Sequence, residues 1–422
     1  MIQKLKPKSE FTRNVLTLMT GTTIAQAIPI AISPILTRIY TPQDYGIVAL
    51  YMSIATIASI IATGRYEMAI MLPKKDTDAI NILLLSIGIT FLMSFISFLI
   101  IFLFNQEITN FLGNQDVSIW LYLVPVSVLL TGIYQGLRYW NNRKKYFKNL
   151  AKNTIIQAGT NSSLNLSFGF LGFGAGGLIF SGLIGKLISI LFLSKIAWNK
   201  DSQLLKSKNN LKIIALLKLH KKLPLFNLPN ALIDTFRTSG INILIAKLFT
   251  ISSLGHYSLA WRMVVTPASL IGNSLSQVLF QKLSSSKKID LYSLVIKFIF
   301  KASLIALPMY GFIYLFAEQI FTFVFGNKWT EAGQVASVLA PWLFLNFISS
   351  PLSPIFIIIN KQEIMLIFSI IYMLVPISIL YLFQQYNFIN VIEIISITMS
   401  FLLVLLILFI LNTTFRLKKG SN

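Results

Sequence analysis

Long, mostly apolar stretches of about twenty residues or more divide this chain, and nearly all of its cations collect in the short gaps between them. A helix rises ~1.5 Å per residue, so about 20 such residues cross a hydrocarbon layer ~30 Å thick. In that layer each backbone polar group must find a partner inside its own segment, which leaves helices as the economical way across. The pattern predicts roughly twelve spanning helices. The first six cover Val15–Ile39, Gly46–Leu72, Ala79–Phe104, Val117–Tyr139, Leu150–Leu171 and Ala175–Trp198. The second six cover Leu223–Phe249, Gly255–Phe280, Leu294–Phe325, Ala332–Asn360, Ile364–Gln384 and Phe388–Asn412. Charged residues make up only 12% of the chain, against about 25% in soluble domains. The formal charge of +22 does not point to nucleic acid, because that use needs a basic face on a soluble fold.

Lys and Arg gather on one side of the predicted helices. Of the 36, twenty-nine lie in the N-terminal tail, alternate loops, the central linker and the C-terminal tail, starting with Lys4, Lys6 and Lys8 and ending with Lys418 and Lys419. The opposite side holds only Arg38, Lys247 and Lys328. By the positive-inside rule both termini are expected in the cytoplasm, which requires an even number of spans.

A repeat then divides the chain in two. TRIYTPQDYGIVALYM, Thr37–Met52, aligns without a gap on AKLFTISSLGHYSLAW, Ala246–Trp261. Arg38 falls on Lys247, Tyr40 on Phe249, Thr41 on Thr250, Gly46 on Gly255 and Leu50 on Leu259. Each copy joins two apolar runs through a polar turn. Internal repetition in a membrane chain suggests paired bundles with a path between them. The expected organisation is an N-terminal six-helix lobe over 1–198, a basic linker over 199–222 and a C-terminal six-helix lobe over 223–422. Within the linker, LKIIALLKLHKKL reads either as a basic helix lying on the membrane surface or as an early start to the seventh span.

Several motifs are set aside. Gly172, Gly174 and Gly177 have the GxGxxG spacing, but a dinucleotide site needs a strand before that loop; a tight hairpin between the fifth and sixth spans is expected instead. The sequons at Asn161 and Asn412 fall in or at the end of spans. The chain has no cysteine, and its two histidines, His220 and His256, lack ligand-like spacing. Neither a metal nor a cofactor is expected.

Four cations are left on neither side: Arg65, Lys186, Arg237 and Arg262. Each costs about 2.5–3.5 kcal/mol at a helix centre unless it faces protein or water. Arginine stays charged and grips phosphate with a planar fork, so a cavity lined by such groups suits an anionic cargo. Three acids, Glu67, Asp234 and Glu393, are near or within spans and are candidates for ion coupling, since burial favours a carboxyl that can hold a proton. Asp234 and Arg237 are three apart and expected to pair. Arg65 and Glu67 are two apart, point to different sides of an ideal helix, and are expected to find other partners.

The opening run RNVLTLMTGTTIAQAIPIAISPILTRIYTPQDYG, the stretch Tyr66–Ile82 with Asp76 and Asp78, and Gly255–Ser284 and Phe325–Trp342 together resemble the Wzx-type polysaccharide flippases. That resemblance implies an all-α integral membrane protein with the V-shaped fold of the multidrug/oligosaccharidyl-lipid/polysaccharide exporters. It implies movement of undecaprenyl-pyrophosphate-linked oligosaccharide across the bacterial inner membrane for O-antigen or capsule assembly, with ion-coupled antiport among the mechanisms it suggests. A glycan polymerase and a chain-length regulator are the partners it suggests. The family's cationic cavity is carried here onto Arg65, Lys186, Arg237 and Arg262. A multidrug or other cation exporter of the same fold is the nearest alternative, though its cavity is expected to be acidic or aromatic. A cell-wall precursor flippase with fourteen helices needs two more spans. A membrane glycan polymerase or ligase needs a large outer loop, and the outer loops predicted here are all short.

Overall fold

The computed structural model describes residues 10–286 and 288–419. The tail cations Lys4, Lys6 and Lys8, and Lys287, lie outside the described residues. The described chain is built of helices and turns and falls into two compact units, Met1–Lys247 and Leu248–Asn422.

In the first unit the longer helices are α1 (Glu10–Ile39), α2 (Pro42–Ile60), α3 (Asp76–Leu112), α4 (Val124–Arg143), α5 (Phe147–Phe170), α6 (Gly174–Leu205), α7 (Asn210–Leu219) and α8 (Leu228–Leu248). The second has α9 (Ile251–Ser284), α10 (Leu291–Phe325), α11 (Thr330–Ser349), α12 (Gln362–Leu382) and α13 (Phe388–Lys419). All twelve segments predicted from sequence are occupied mainly by helix. Seven described helices are by themselves long and apolar enough to cross a membrane, and eight if the bent pair Gln115–Leu121 and Val124–Arg143 counts as one span. The segments that miss that standard carry polar groups: Asn, Ser and Lys along α5, Asp234 and Arg237 on α8, and His256, Arg262 and several Ser on α9.

Both copies of the repeat are helix starts. Thr41 is the N-cap of α2 and Thr250 the N-cap of α9. Thr41 Oγ1 accepts from the Asp44 amide at 3.2 Å, and Thr250 Oγ1 accepts from the Ser253 amide at 3.0 Å. Asp44 and Ser253 are aligned positions, so the repeat encodes a cap that satisfies one of the amides a helix start leaves free. The first copy goes further: Asp44 returns a carboxylate to the Thr41 amide at 2.9 Å, completing a capping box. Its other oxygen accepts from the Ala175 amide at 2.8 Å and ties down the start of α6. The glycine hairpin there is as predicted, with Gly172 at φ +76° and Gly174 at φ +52° turning the chain between α5 and α6.

Inside the first unit α1 packs on α5, α5 on α6, and α3 on α4. Small residues let the backbones approach, as is usual between membrane helices. A Cβ added to Gly21 would lie 2.7 Å from Ala151 Cβ, and one on Gly132 would collide with Thr90. In the second unit α11 is the buried centre, packed against α9, α10 and α13.

One end of the first unit is held by a charged knot. Asp76 at the start of α3 pairs with Arg143 Nε at 2.9 Å and Lys144 Nζ at 2.8 Å. Lys144 also reaches Asp201 at 3.3 Å, and Asp201 accepts from Trp140 Nε1 at 3.1 Å. Arg143 donates to the Ile70 carbonyl at 2.9 Å. Asp201 is buried and lies beyond the predicted end of the sixth span, because α6 continues to Leu205. The linker is anchored at the same end: Asn81 donates to the Ser207 carbonyl and accepts from the Asn209 amide, and Tyr66 Oη donates to the Leu217 carbonyl at 3.0 Å. The linker helix α7 is an element of its own, capped by Asn209 and ended by a turn at His220, rather than an early start to α8. Leu211 is 79% and Leu219 70% exposed on it.

Candidate functional site

The second predicted span, Gly46–Leu72, is broken. Helix α2 stops at Ile60, the chain turns, and Tyr66–Met71 resumes as a 3-10 helix. Gly64 and Arg65 at the break both have left-handed backbone, φ +55° and +65°. A non-glycine residue held there costs on the order of 1–3 kcal/mol and persists only when its surroundings impose it. The turn brings Arg65 and Glu67 to one side, where Arg65 Nη1 lies 3.7 Å from Glu67 Oε1. The expectation of separate partners, drawn from ideal helix geometry, is therefore corrected: the segment is not an ideal helix. Glu67 is 1% exposed and also accepts from the Thr63 hydroxyl.

Arg65 enters the wall of a cavity of about 480 Å³ with Ile60, Asn227, Asn230, Asp234 and Thr235. All belong to the first unit; the far wall comes from the π-helical stretch Leu223–Asn227 and the first half of α8. Asp234 pairs with Arg237 at 3.0 Å, as the three-residue spacing predicted, and its side chain is 74% exposed. Arg65 Nε is buried and has no hydrogen-bond partner among the described residues. Leaving such a donor unmet costs about 1–3 kcal/mol, more for a charged group. The cavity thus offers an arginine, an exposed carboxylate beside a second arginine, and the side-chain amides of two asparagines.

The remaining candidates are placed elsewhere. Lys186, on α6, donates to Thr131 Oγ1 at 2.8 Å across to α4. Arg262, on α9, and Glu393, on α13, belong to the second unit, and both are exposed. Neither makes an ion pair with a described residue. His256 meets Glu331 at 3.3 Å, while His220 lies in the first unit. Asn227, Asn230 and Thr235 were missed because selection by charge passes over neutral polar groups. The run LPLFNLPNALID, with two prolines and two asparagines at the head of a span, was the available signal.

Residues 35–334 match the model of a family described as polysaccharide biosynthesis protein. An uncharacterized membrane protein from the cps region of Klebsiella pneumoniae is 21% identical over 363 residues, which is 84% of this chain and 72% of that protein. Among solved structures, an inward-facing multidrug-resistance MATE transporter of the MOP superfamily is similar with a TM-score of 0.73 at 17% identity, over 96% of each chain. The lipid II flippase MurJ in its inward closed conformation has a TM-score of 0.73 at 17% identity, over 96% of this chain and 90% of that one. These likenesses establish the all-α membrane exporter fold. As a multi-pass membrane protein with that fold and a family match over most of its length, the chain belongs to the polysaccharide biosynthesis protein family, in the Wzx type that its sequence resembles.

Proposed function

We propose that the protein flips undecaprenyl-pyrophosphate-linked oligosaccharide repeat units from the cytoplasmic to the periplasmic leaflet of a bacterial inner membrane, for O-antigen or capsule assembly. Both termini are cytoplasmic in this reading, about twelve helices span in two lobes, and a glycan polymerase and a chain-length regulator act downstream. The observation that carries it is Arg65, held in a left-handed turn in the wall of a polar cavity. A sugar headgroup loses several kcal/mol for each hydroxyl buried without a partner, and a wet cavity with amides and charges removes that cost while the prenyl chain stays in lipid. The Arg65 guanidinium holds a phosphate oxygen, and Asn227 and Asn230 take sugar hydroxyls. Arg237, Arg262 and Lys186 extend the cationic path, and access alternates between leaflets. Glu67, Asp234 and Glu393 are the acids available for ion coupling. Family membership and the fold shared with a lipid II flippase support this reading.

The experiment is deletion of the gene with analysis of surface glycan and of lipid-linked repeat units, complemented by the wild type or by the double variant R65Q/E67Q. That variant removes both charges and leaves no uncompensated buried acid. Loss of surface glycan with intact repeat units on the cytoplasmic leaflet is expected in the deletion and the double variant. Repeat units that reach the outer leaflet unpolymerised would instead indicate a polymerase or ligase. The exposed carboxylate of Asp234 in the same cavity is the feature a cation exporter would use; normal glycan with increased sensitivity to cationic drugs would select that reading.

A further inference from the structure

Arg138 lines a second cavity. The sequence grouped it with the loop cations, yet it lies inside α4, five residues before Arg143. It borders a cavity of about 410 Å³ formed by α1, α4 and α5, all in the first unit. Each helix contributes residues one turn apart, which share a face: Leu18 and Thr22 from α1, Leu150 and Thr154 from α5, and Tyr134, Arg138 and Asn142 from α4. Arg138 is exposed, and it makes no ion pair with a described residue. The acids that meet the end of α4 have other partners, Asp76 in Arg143 and Lys144 and Asp201 in Lys144 and Trp140. Thr22 and Thr154 donate their hydroxyls to Leu18 and Leu150 carbonyls at 2.9 and 2.7 Å, so toward the cavity they can only accept. The Tyr134 and Tyr139 rings are held by the apolar clusters behind them.

We infer that this cavity binds the phosphate-bearing, hydroxylated headgroup of a lipid, separately from the Arg65 cavity. The Arg138 fork supplies two parallel donors to a phosphate, Asn142 and Tyr134 add further polar contacts, and the two threonines accept from hydroxyls beside the phosphate. Leu18 and Leu150 line the same cavity and suit the start of a hydrocarbon chain. Five residues at ~1.5 Å each put Arg138 about 7.5 Å inside the end of α4. Two lipids share this chemistry, a polyprenyl diphosphate and an anionic glycerophospholipid; the first assignment rests on the flippase reading, the second does not.

The test is binding of farnesyl diphosphate and of short-chain phosphatidylglycerol to the purified protein in neutral phosphatidylcholine nanodiscs, followed by native mass spectrometry. R138Q is expected to weaken at least one of them by about tenfold or more, and R138K by less. Selective loss of the diphosphate assigns the site to cargo, and selective loss of phosphatidylglycerol to a resident lipid. Wild-type affinity for both in R138Q, or no binding of either by the wild type, overturns the inference. Failure of the flippase reading is seen separately, as normal surface glycan in the deletion strain.

Discussion

Neutralising Glu67 and Arg65 one at a time has unequal consequences, and the inequality follows from their burial. At 3.7 Å and an effective dielectric of ~20, the pair attracts by about 4.5 kcal/mol before any solvation cost. The Arg65 side chain keeps 23% exposure, so in E67Q water takes over part of its solvation, and the glutamine carbonyl still accepts from Thr63. That variant is expected to lose about 1–2 kcal/mol. Glu67 keeps only 1% exposure, so R65Q leaves a buried carboxylate without its cation and is expected to lose about 3–4 kcal/mol. Removing both charges in R65Q/E67Q recovers about 1–2 kcal/mol relative to R65Q alone, because neighbouring substitutions are not additive. In a unit of this size each kcal/mol moves the unfolding midpoint by about 2–4 °C, so tryptophan fluorescence during heating in detergent resolves the series. A double variant as unstable as the sum of the singles would refute the pairing.

Three further outcomes are expected. D201A removes an acceptor from Trp140 and one of two partners from Lys144, and is expected to cost about 2–3 kcal/mol, with D201N milder, both read by the same heating assay. Burial alone would lower the Lys144 pKa, but its hydrogen bonds and charge pairing with Asp76 and Asp201 outweigh that and raise it. The stability it contributes is therefore full below its unfolded pKa of about 10.4, is lost as pH rises through its raised folded value, and is absent in K144Q; midpoints of both proteins between pH 9 and 12 check this. T41A is expected to lose about 1–2 kcal/mol and T250A about 0.5–1, because the Thr41 hydroxyl also donates to the Asp44 carboxylate at 2.7 Å, a charge-assisted bond, whereas the Thr250 hydroxyl meets the neutral Ser253 hydroxyl; equal losses would deny that bond its part.

The helical architecture was legible because hydrophobic length is a physical requirement of the bilayer, and the twelve segments read from it are helical here. The repeat was legible as well, down to the threonine that caps both copies. The Asp234–Arg237 pair followed from helical spacing. What escaped the sequence was everything that depends on leaving helical geometry. Gly64 and Arg65 are ordinary letters until the backbone turns left-handed, and only then do Arg65 and Glu67 meet. Arg138 looked like a loop cation because hydropathy locates the ends of a span only to within several residues. The asparagines of the Arg65 cavity carry no charge to betray them, and Asp201 sits on a part of α6 that the apolar run does not reach.

The stretch between α6 and α8 has the composition of a loose tether, rich in lysine, serine and asparagine. Its backbone is nevertheless fastened at three carbonyl or amide groups by Asn81 and Tyr66, and Tyr66 immediately follows the left-handed Arg65. The segment behaves as a strut whose seat is next to the guanidinium. A chimera that imports another protein's linker here must bring the matching residues for positions 66 and 81, or Arg65 will be set at a different angle to the space it serves.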